Sequence, residues 1–157
     1  FIPPGQAHSY LKGVGVELMA NSDNVIRGGL TPKHVDVPEL LRIMDFRPAR
    51  VHGITPRPGS QPAEQVYETP AAEFQLSVIS VSPSVSFLNE GDRKVEVLLC
   101  MEGRAYIQGL KNGDSEIVDK GASLLIPAAV GPYRIEGEGR LYRATVGRRS
   151  QEGQYPL

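Results

Sequence analysis

Tryptophan is absent from this 157-residue chain, aromatic residues make up only 6%, and there is a single cysteine. One thiol excludes an internal disulfide, so this is no disulfide-stapled scaffold. Cys100 lies in the apolar run Val97-Leu98-Leu99-Cys100, which predicts a buried, inert thiol and not a nucleophile. Charge of one sign is also lacking: the net charge is −1, with no basic run or tail. That disfavours a nucleic-acid partner, which calls for a basic face. No apolar stretch approaches the roughly 20 residues a membrane-spanning helix needs, and no secretory leader pattern is present. A cytoplasmic chain with neither membrane nor nucleic acid among its partners is expected. The opening Phe1-Ile2-Pro3-Pro4 reads as the end of a strand entering a turn, so this N-terminus is expected to be cut and not native.

What the chain does have is turn chemistry. It carries 17 glycines and 13 prolines beside a 40% apolar and 22% charged composition. A buried core is expected, built from short strands joined by tight turns and not from a helical bundle. In the first 33 residues the short apolar pieces Val14–Met19 and Val25-Ile26 suit brief strands between loops. Asp36-Val37-Pro38-Glu39 combines a cap, an early proline and an acid three positions on, a helix-start pattern. Leu40, Leu41, Ile43 and Met44 give that helix an apolar face, and Asp45-Phe46-Arg47-Pro48 should end it after about two turns. Prolines 48, 56, 58, 62 and 70 then predict an extended connector without regular structure.

The remainder reads as all β. Strands are expected at Phe74–Val81, Val85–Leu88, Val95–Cys100, Ala105–Gly109, Ser115–Val118, Ser123–Pro127, Tyr133–Glu136 and Leu141–Val146. Turn signals separate them, among them Glu102-Gly103, Lys111-Asn112-Gly113-Asp114 and Glu136-Gly137-Glu138-Gly139. Asn112-Gly113 between two strands is the strongest hairpin signal. Short strands at near-regular spacing imply a sandwich or jelly roll. The chain from about Arg148 onward reads as a loose tail.

Chemistry concentrates near the start. In Pro3-Pro4-Gly5-Gln6-Ala7-His8, a glycine turn aims an imidazole, and neutral imidazole is a common zinc ligand. The spacing alone describes a satisfied turn histidine equally well. The stretch His8-Ser9-Tyr10-Leu11-Lys12-Gly13, then Val16-Glu17-Leu18-Met19-Ala20, then Asn21 through Lys33 and on into Val35–Leu41, is similar to the signature region of type I phosphomannose isomerases. The similarity is ungapped over almost all of residues 3 to 41.

The resemblance implies a mainly β fold: a cupin-type jelly roll, the second and non-catalytic cupin, plus the tail of a first cupin and one short helix. It implies that residues 1–34 end the catalytic barrel, 35–73 form the helix and connector, 74–148 the second cupin and 149–157 a tail. It further implies that His8 is one of four protein ligands to a zinc ion. The other three, a Gln-x-His pair and a glutamate, are expected in the N-terminal part of the same enzyme. Arg27 matches the family's catalytic arginine, where it stabilises an enediolate or grips phosphate, and Glu17 matches an active-site carboxylate. By spacing alone Glu17 is an exposed acid on a strand. Tyr10 either bonds the hexose 6-phosphate substrate or packs. Asp23 and Lys33 fit a charge network around Arg27, or else a turn cap and a surface lysine. Gly28-Gly29 lets the backbone turn after Arg27. His34 and His52 are expected to be structural or solvent-facing.

In the β region, neither Val95–Gly103 nor the turn Ile126–Tyr133 carries the histidines of a metal-binding cupin, so a structural role without a second metal site is expected. The implied activity is interconversion of mannose 6-phosphate and fructose 6-phosphate through a cis-enediol. The isolated chain, holding an incomplete site, is expected to be inactive. A non-enzymatic sugar- or metal-binding cupin module is the alternative.

Overall fold

The computed structural model describes residues 1–22, 25–48, 53–90 and 94–147. The chain divides into two compact units, Phe1–Gly53 and Ile54–Leu157.

In the first unit the helix forms where its cap predicts: α1 spans Val37–Ile43. Asp36 Oδ1 accepts from the Glu39 backbone N–H at 3.0 Å, one proline falls in the first turn, and Arg42 pairs with Glu39 one turn back. The expected strands at Val14–Met19 and Val25-Ile26 do not form. The described residues before α1 hold turns and bends but no strand. Their composition suits a strand, yet a strand exists only against a neighbour that takes its backbone hydrogen bonds, and none pairs with them among the described residues.

Among its described residues the second unit is an antiparallel sheet of eight strands: β1 (Arg57–Pro58), β2 (Glu64–Tyr67), β3 (Gln75–Val81), β4 (Phe87–Asn89), β5 (Glu96–Gly109), β6 (Ser115–Asp119), β7 (Ser123–Ile126) and β8 (Tyr133–Thr145). Two long strands, β5 and β8, pair along almost their whole length, from Glu96↔Thr145 to Gly109↔Tyr133. Each carries two short strands end to end on its other edge. β3 and β4 flank β8, and β7 and β6 flank β5. β2 and then β1 extend the sheet beyond β3. Ile79, Leu98, Cys100 and Leu141 from one half meet Phe87, Ile107, Val118, Tyr133 and Ile135 from the other in one buried cluster. The folded-over sheet therefore encloses its own core, the sandwich the strand spacing implied. Cys100 is fully buried and burial pushes its thiol pKa up, which keeps it the inert group expected of an apolar run.

Three expectations need correction. The signals Glu102-Gly103 and Glu136–Gly139 are not turns but mid-strand positions of β5 and β8, so four expected strands are two. The register slips between Cys100 and Glu102, a bulge, and Gly103 (φ 68°) and Gly137 (φ 118°) hold backbone conformations that side chains resist. A Cβ on Gly103 would stand 2.0 Å from the Glu138 carbonyl oxygen. Glycine here permits close approach and a bend within a strand, a use that leaves the same mark in sequence as a turn. Second, the connector is partly regular: β1 and β2 lie inside the 48–70 span, and β2 pairs with β3 from Glu64↔Ile79 to Tyr67↔Leu76. β2 contains no proline, while Pro58 stands on the edge strand β1, where a missing N–H is tolerated. Third, β4 is shifted to Phe87–Asn89, with Val85 left in an isolated bridge to Ser82. The Asn112-Gly113 hairpin stands as read: it joins β5 to β6 with Gly113 at φ 75°.

The two glycine uses are separable by experiment. Gly103→Ala should lower unfolding free energy by about 3 kcal/mol or more, since overpacking adds to left-handed strain. At Gly113 a Cβ would meet nothing within 4 Å, so Gly113→Ala should cost only about 1 kcal/mol of strain. Urea unfolding of both variants measures the difference, and equal losses would contradict the close-approach account.

Candidate functional site

The segment before His8 is held by the helix that follows it in sequence. Gly5 (φ 78°) lies so near the end of α1 that a Cβ would stand 2.9 Å from the Ile43 carbonyl oxygen. Its own carbonyl accepts from the Asp45 backbone N–H at 2.9 Å. Any other residue at position 5 would lose both the conformation and the fit. Asp45 in turn bonds the side chain and backbone N–H of Arg47, which hold its pKa down to about 2.

His8 is exposed, and its Nδ1 lies 3.0 Å from the Gln6 carbonyl oxygen. A carbonyl only accepts, so Nδ1 carries the proton and Nε2 presents its lone pair outward, the arrangement typical of a metal-ligating histidine. The Tyr10 ring meets the His8 ring edge-on, with centroids 6.4 Å apart and planes at 78°. Tyr10 Oη donates to Glu17 Oε1 at 2.9 Å. That hydrogen bond, with the carboxylate's charge, raises the Tyr10 pKa above its ordinary value. Imidazole, phenol and carboxylate thus form one chain of contacts, a grouping the one-dimensional spacing of positions 8, 10 and 17 did not reveal.

Arg27 and Lys33 are both exposed. Neither bonds to this trio among the described residues; the Lys33 backbone N–H bonds Thr31 Oγ1 at 3.2 Å. Asp23 and His52 lie outside the described residues. His34 is exposed. After Arg27 the backbone does turn: Gly29 has φ 139° and Leu30, fully exposed, holds φ 53°. A leucine in that region stores strain.

As a zinc site the residues fit only in part. His8 offers a free Nε2, but no three His, Cys, Asp or Glu groups converge on one point among the described residues. One imidazole does not make the three or four protein ligands zinc normally takes. The β unit supplies an arrangement that sequence reading missed altogether. In its interior Arg143 bridges the carboxylates of Glu64 and Glu96. The available signal was alternation, because Glu96 shares a face with Leu98 and Cys100.

Residues 63–146 match the family model described as mannose-6-phosphate isomerase, cupin domain. The chain is 35% identical over 136 residues to the mannose-6-phosphate isomerase of Escherichia coli strain K12, covering 87% of this chain and 34% of that protein. Mannose-6-phosphate isomerase 2 of Arabidopsis thaliana is 31% identical over 156 residues, again with 34% of its length covered. Among solved structures, the Salmonella typhimurium mannose 6-phosphate isomerase bound to its substrate f6p and zinc aligns with TM-score 0.69 and 31% identity. That alignment covers 82% of this chain and 32% of that one. The chain spans about a third of the length of these relatives. With a family model matched over more than half of its residues, the chain belongs to the mannose-6-phosphate isomerase cupin-domain family.

Proposed function

We propose that this chain is the C-terminal portion of a zinc-dependent mannose-6-phosphate isomerase, cytoplasmic, and inactive without the N-terminal part of the same enzyme. The observation that carries the reading is the His8 imidazole, its Nδ1 occupied by Gln6 and its Nε2 free, within the contact chain that reaches Glu17 through Tyr10. Residues 1–34 end the catalytic barrel, and the β unit is the non-catalytic cupin. An unfinished barrel accounts for the exposure of Leu11 (91%), Val14 (92%) and Leu30 (99%), a density of bare apolar side chains that a self-sufficient unit avoids. No described helix is long and apolar enough to cross a membrane.

His8 would hold the metal together with ligands from the N-terminal part. Bound zinc would supply a Lewis acid for the substrate's carbonyl and hydroxyl oxygens. The isomerisation moves one proton between adjacent carbons and another between the oxygens they carry, and builds negative charge on oxygen in between. Glu17 is the proton carrier. As a carboxylate it takes the proton from the carbon beside the carbonyl, and it returns it to the neighbouring carbon of the enediol. Arg27 faces the developing oxyanion or the phosphate with its guanidinium. Lys33 and Asp23 belong to the charge network around Arg27, and Tyr10 borders the substrate.

In the full-length isomerase, His8→Ala should abolish both zinc retention and turnover, read by metal analysis and a coupled assay. Wild-type activity in that variant would sink the assignment. Arg27→Ala should lower kcat/KM by about 100-fold with Tm unchanged. Loss confined to KM would put the guanidinium on the phosphate, loss in kcat on the enediolate. The Tyr10–Glu17 contact is testable in this chain alone. Because Glu17 raises the phenol's pKa, Glu17→Gln should move Tyr10 ionisation to lower pH in an alkaline NMR titration, toward the ordinary tyrosine value.

A further inference from the structure

Three polar residues lie in the interior of the β unit with almost no exposure: Glu64, Ser77 and Glu96. The two carboxylates converge on one cation. Arg143 Nη1 donates to Glu64 Oε1 at 2.7 Å and Nη2 to Glu96 Oε1 at 2.5 Å. The carboxylates come from strands that do not touch: Glu64 is on β2, beyond β3, and Glu96 is on β5, on the other side of β8. Further donors meet the carboxylates. Ser77 Oγ bonds Glu64 Oε1 at 2.7 Å, Asn89 Nδ2 bonds Glu96 Oε1 at 3.0 Å, and the Tyr133 hydroxyl bonds Glu96 Oε2. The guanidinium lies over the Phe87 ring, 5.5 Å from its centroid. Burial and the charge of Glu96 push the Tyr133 phenol far above its ordinary range, so it stays a donor. Burial opposes the Arg143 charge, but the hydrogen bond to Glu96 and the surrounding carboxylates outweigh it.

Two buried carboxylates accepting from separate Nη atoms of one guanidinium, with an aromatic ring below its central carbon and further donors on the carboxylates, are the parts of a binding site for a planar cation. We propose that the interior of the β unit is a guanidinium site whose occupant is the chain's own Arg143, and that this internal ligand closes the barrel to any other. The occupant's backbone lies on β8, between the two carboxylate-bearing strands, so the site also ties β2 to β5 across the sheet. The interior of the β unit is then neither empty nor simply apolar; it holds a tethered ligand where a diffusible one would otherwise sit. The inference does not rest on the isomerase reading and is tested on this chain by itself.

Cutting the occupant back to Arg143→Ala leaves two carboxylates buried without their cation, and Tm should fall by many degrees. Methylguanidinium at low-millimolar concentration should then raise the Tm of Arg143→Ala by several degrees, saturably. It should do so neither in the unsubstituted chain nor in the triple variant Glu64→Gln, Glu96→Gln, Arg143→Ala. No selective rise, an equal rise with sodium chloride, or a rise with calcium but not methylguanidinium would overturn the proposal. Should Arg143→Ala not fold by itself, dilution from urea decides the matter. Recovery of folded chain only with methylguanidinium supports the site; failure there too, or equal recovery in sodium chloride, overturns it.

Discussion

The pairing of β5 with β8 is the constraint on which the β unit depends. Four short strands pair with these two, placed two to an edge, and the register from Glu96↔Thr145 to Gly109↔Tyr133 determines where each of them lands. A flat pair of that length would leave its halves in one plane with nothing to enclose. The bulge at Cys100/Glu102 and the glycines 103, 137 and 139 bring the two backbones close at mid-length, with Gly103 opposite Gly139 and Ala105 opposite Gly137. Strands locally free of side chains can bend and twist together. That bend lets Leu98 and Leu141 share a core with Ile107 and Ile135.

Side-chain alternation along the same two strands explains the interior chemistry. Inner positions of β5 run Glu96, Leu98, Cys100, and the inner neighbour of Leu98 on β8 is Arg143. Burying a carboxylate or a guanidinium singly is prohibitive, and burying a pair is at best close to neutral against an apolar filling. The arrangement therefore contributes less to stability than to uniqueness. One guanidinium with fixed fork geometry satisfies Glu64 and Glu96 together only when β2, β8 and β5 are in the observed register. A slip of one residue would turn Arg143 to the opposite face and leave both acids buried without their cation.

Signals local in sequence were legible, and signals that depend on a partner were not. The α1 cap, the Asn112-Gly113 hairpin, the buried Cys100 and most strand positions follow from a few adjacent residues. Glycine misled because one residue type serves two purposes: at Gly113 it turns the chain, at Gly103 it admits a neighbouring backbone, and only the neighbour distinguishes them. Proline misled in the reverse sense. Its density between 48 and 70 suggested a wholly irregular segment, although Gln65, Val66 and Tyr67 are free of it and pair with β3. The candidate site segment was proposed from a long ungapped likeness around His8, Glu17 and Arg27. No spacing rule would have joined Tyr10 to Glu17, nor Glu64 to Glu96 through Arg143.

The same distinction separates the two units. In the β unit every long apolar strand finds its partner within the chain, so sequence preference and tertiary contact agree. Before α1, stretches of strand-like composition have no described partner, and Val14, Met19 and Val25 among them face solvent. Backbone amides left unpaired gain little from extension, and an apolar face without a second layer gains nothing from order. Only the ends of that region are fixed by local chemistry, at Gly5 against α1 and at the Asp36 cap. The catalytic groups of the proposed isomerase thus stand on the part of the chain that supplies least of its own structure. On that proposal their precision comes from the barrel they would complete, whereas the β unit is held by contacts it makes with itself.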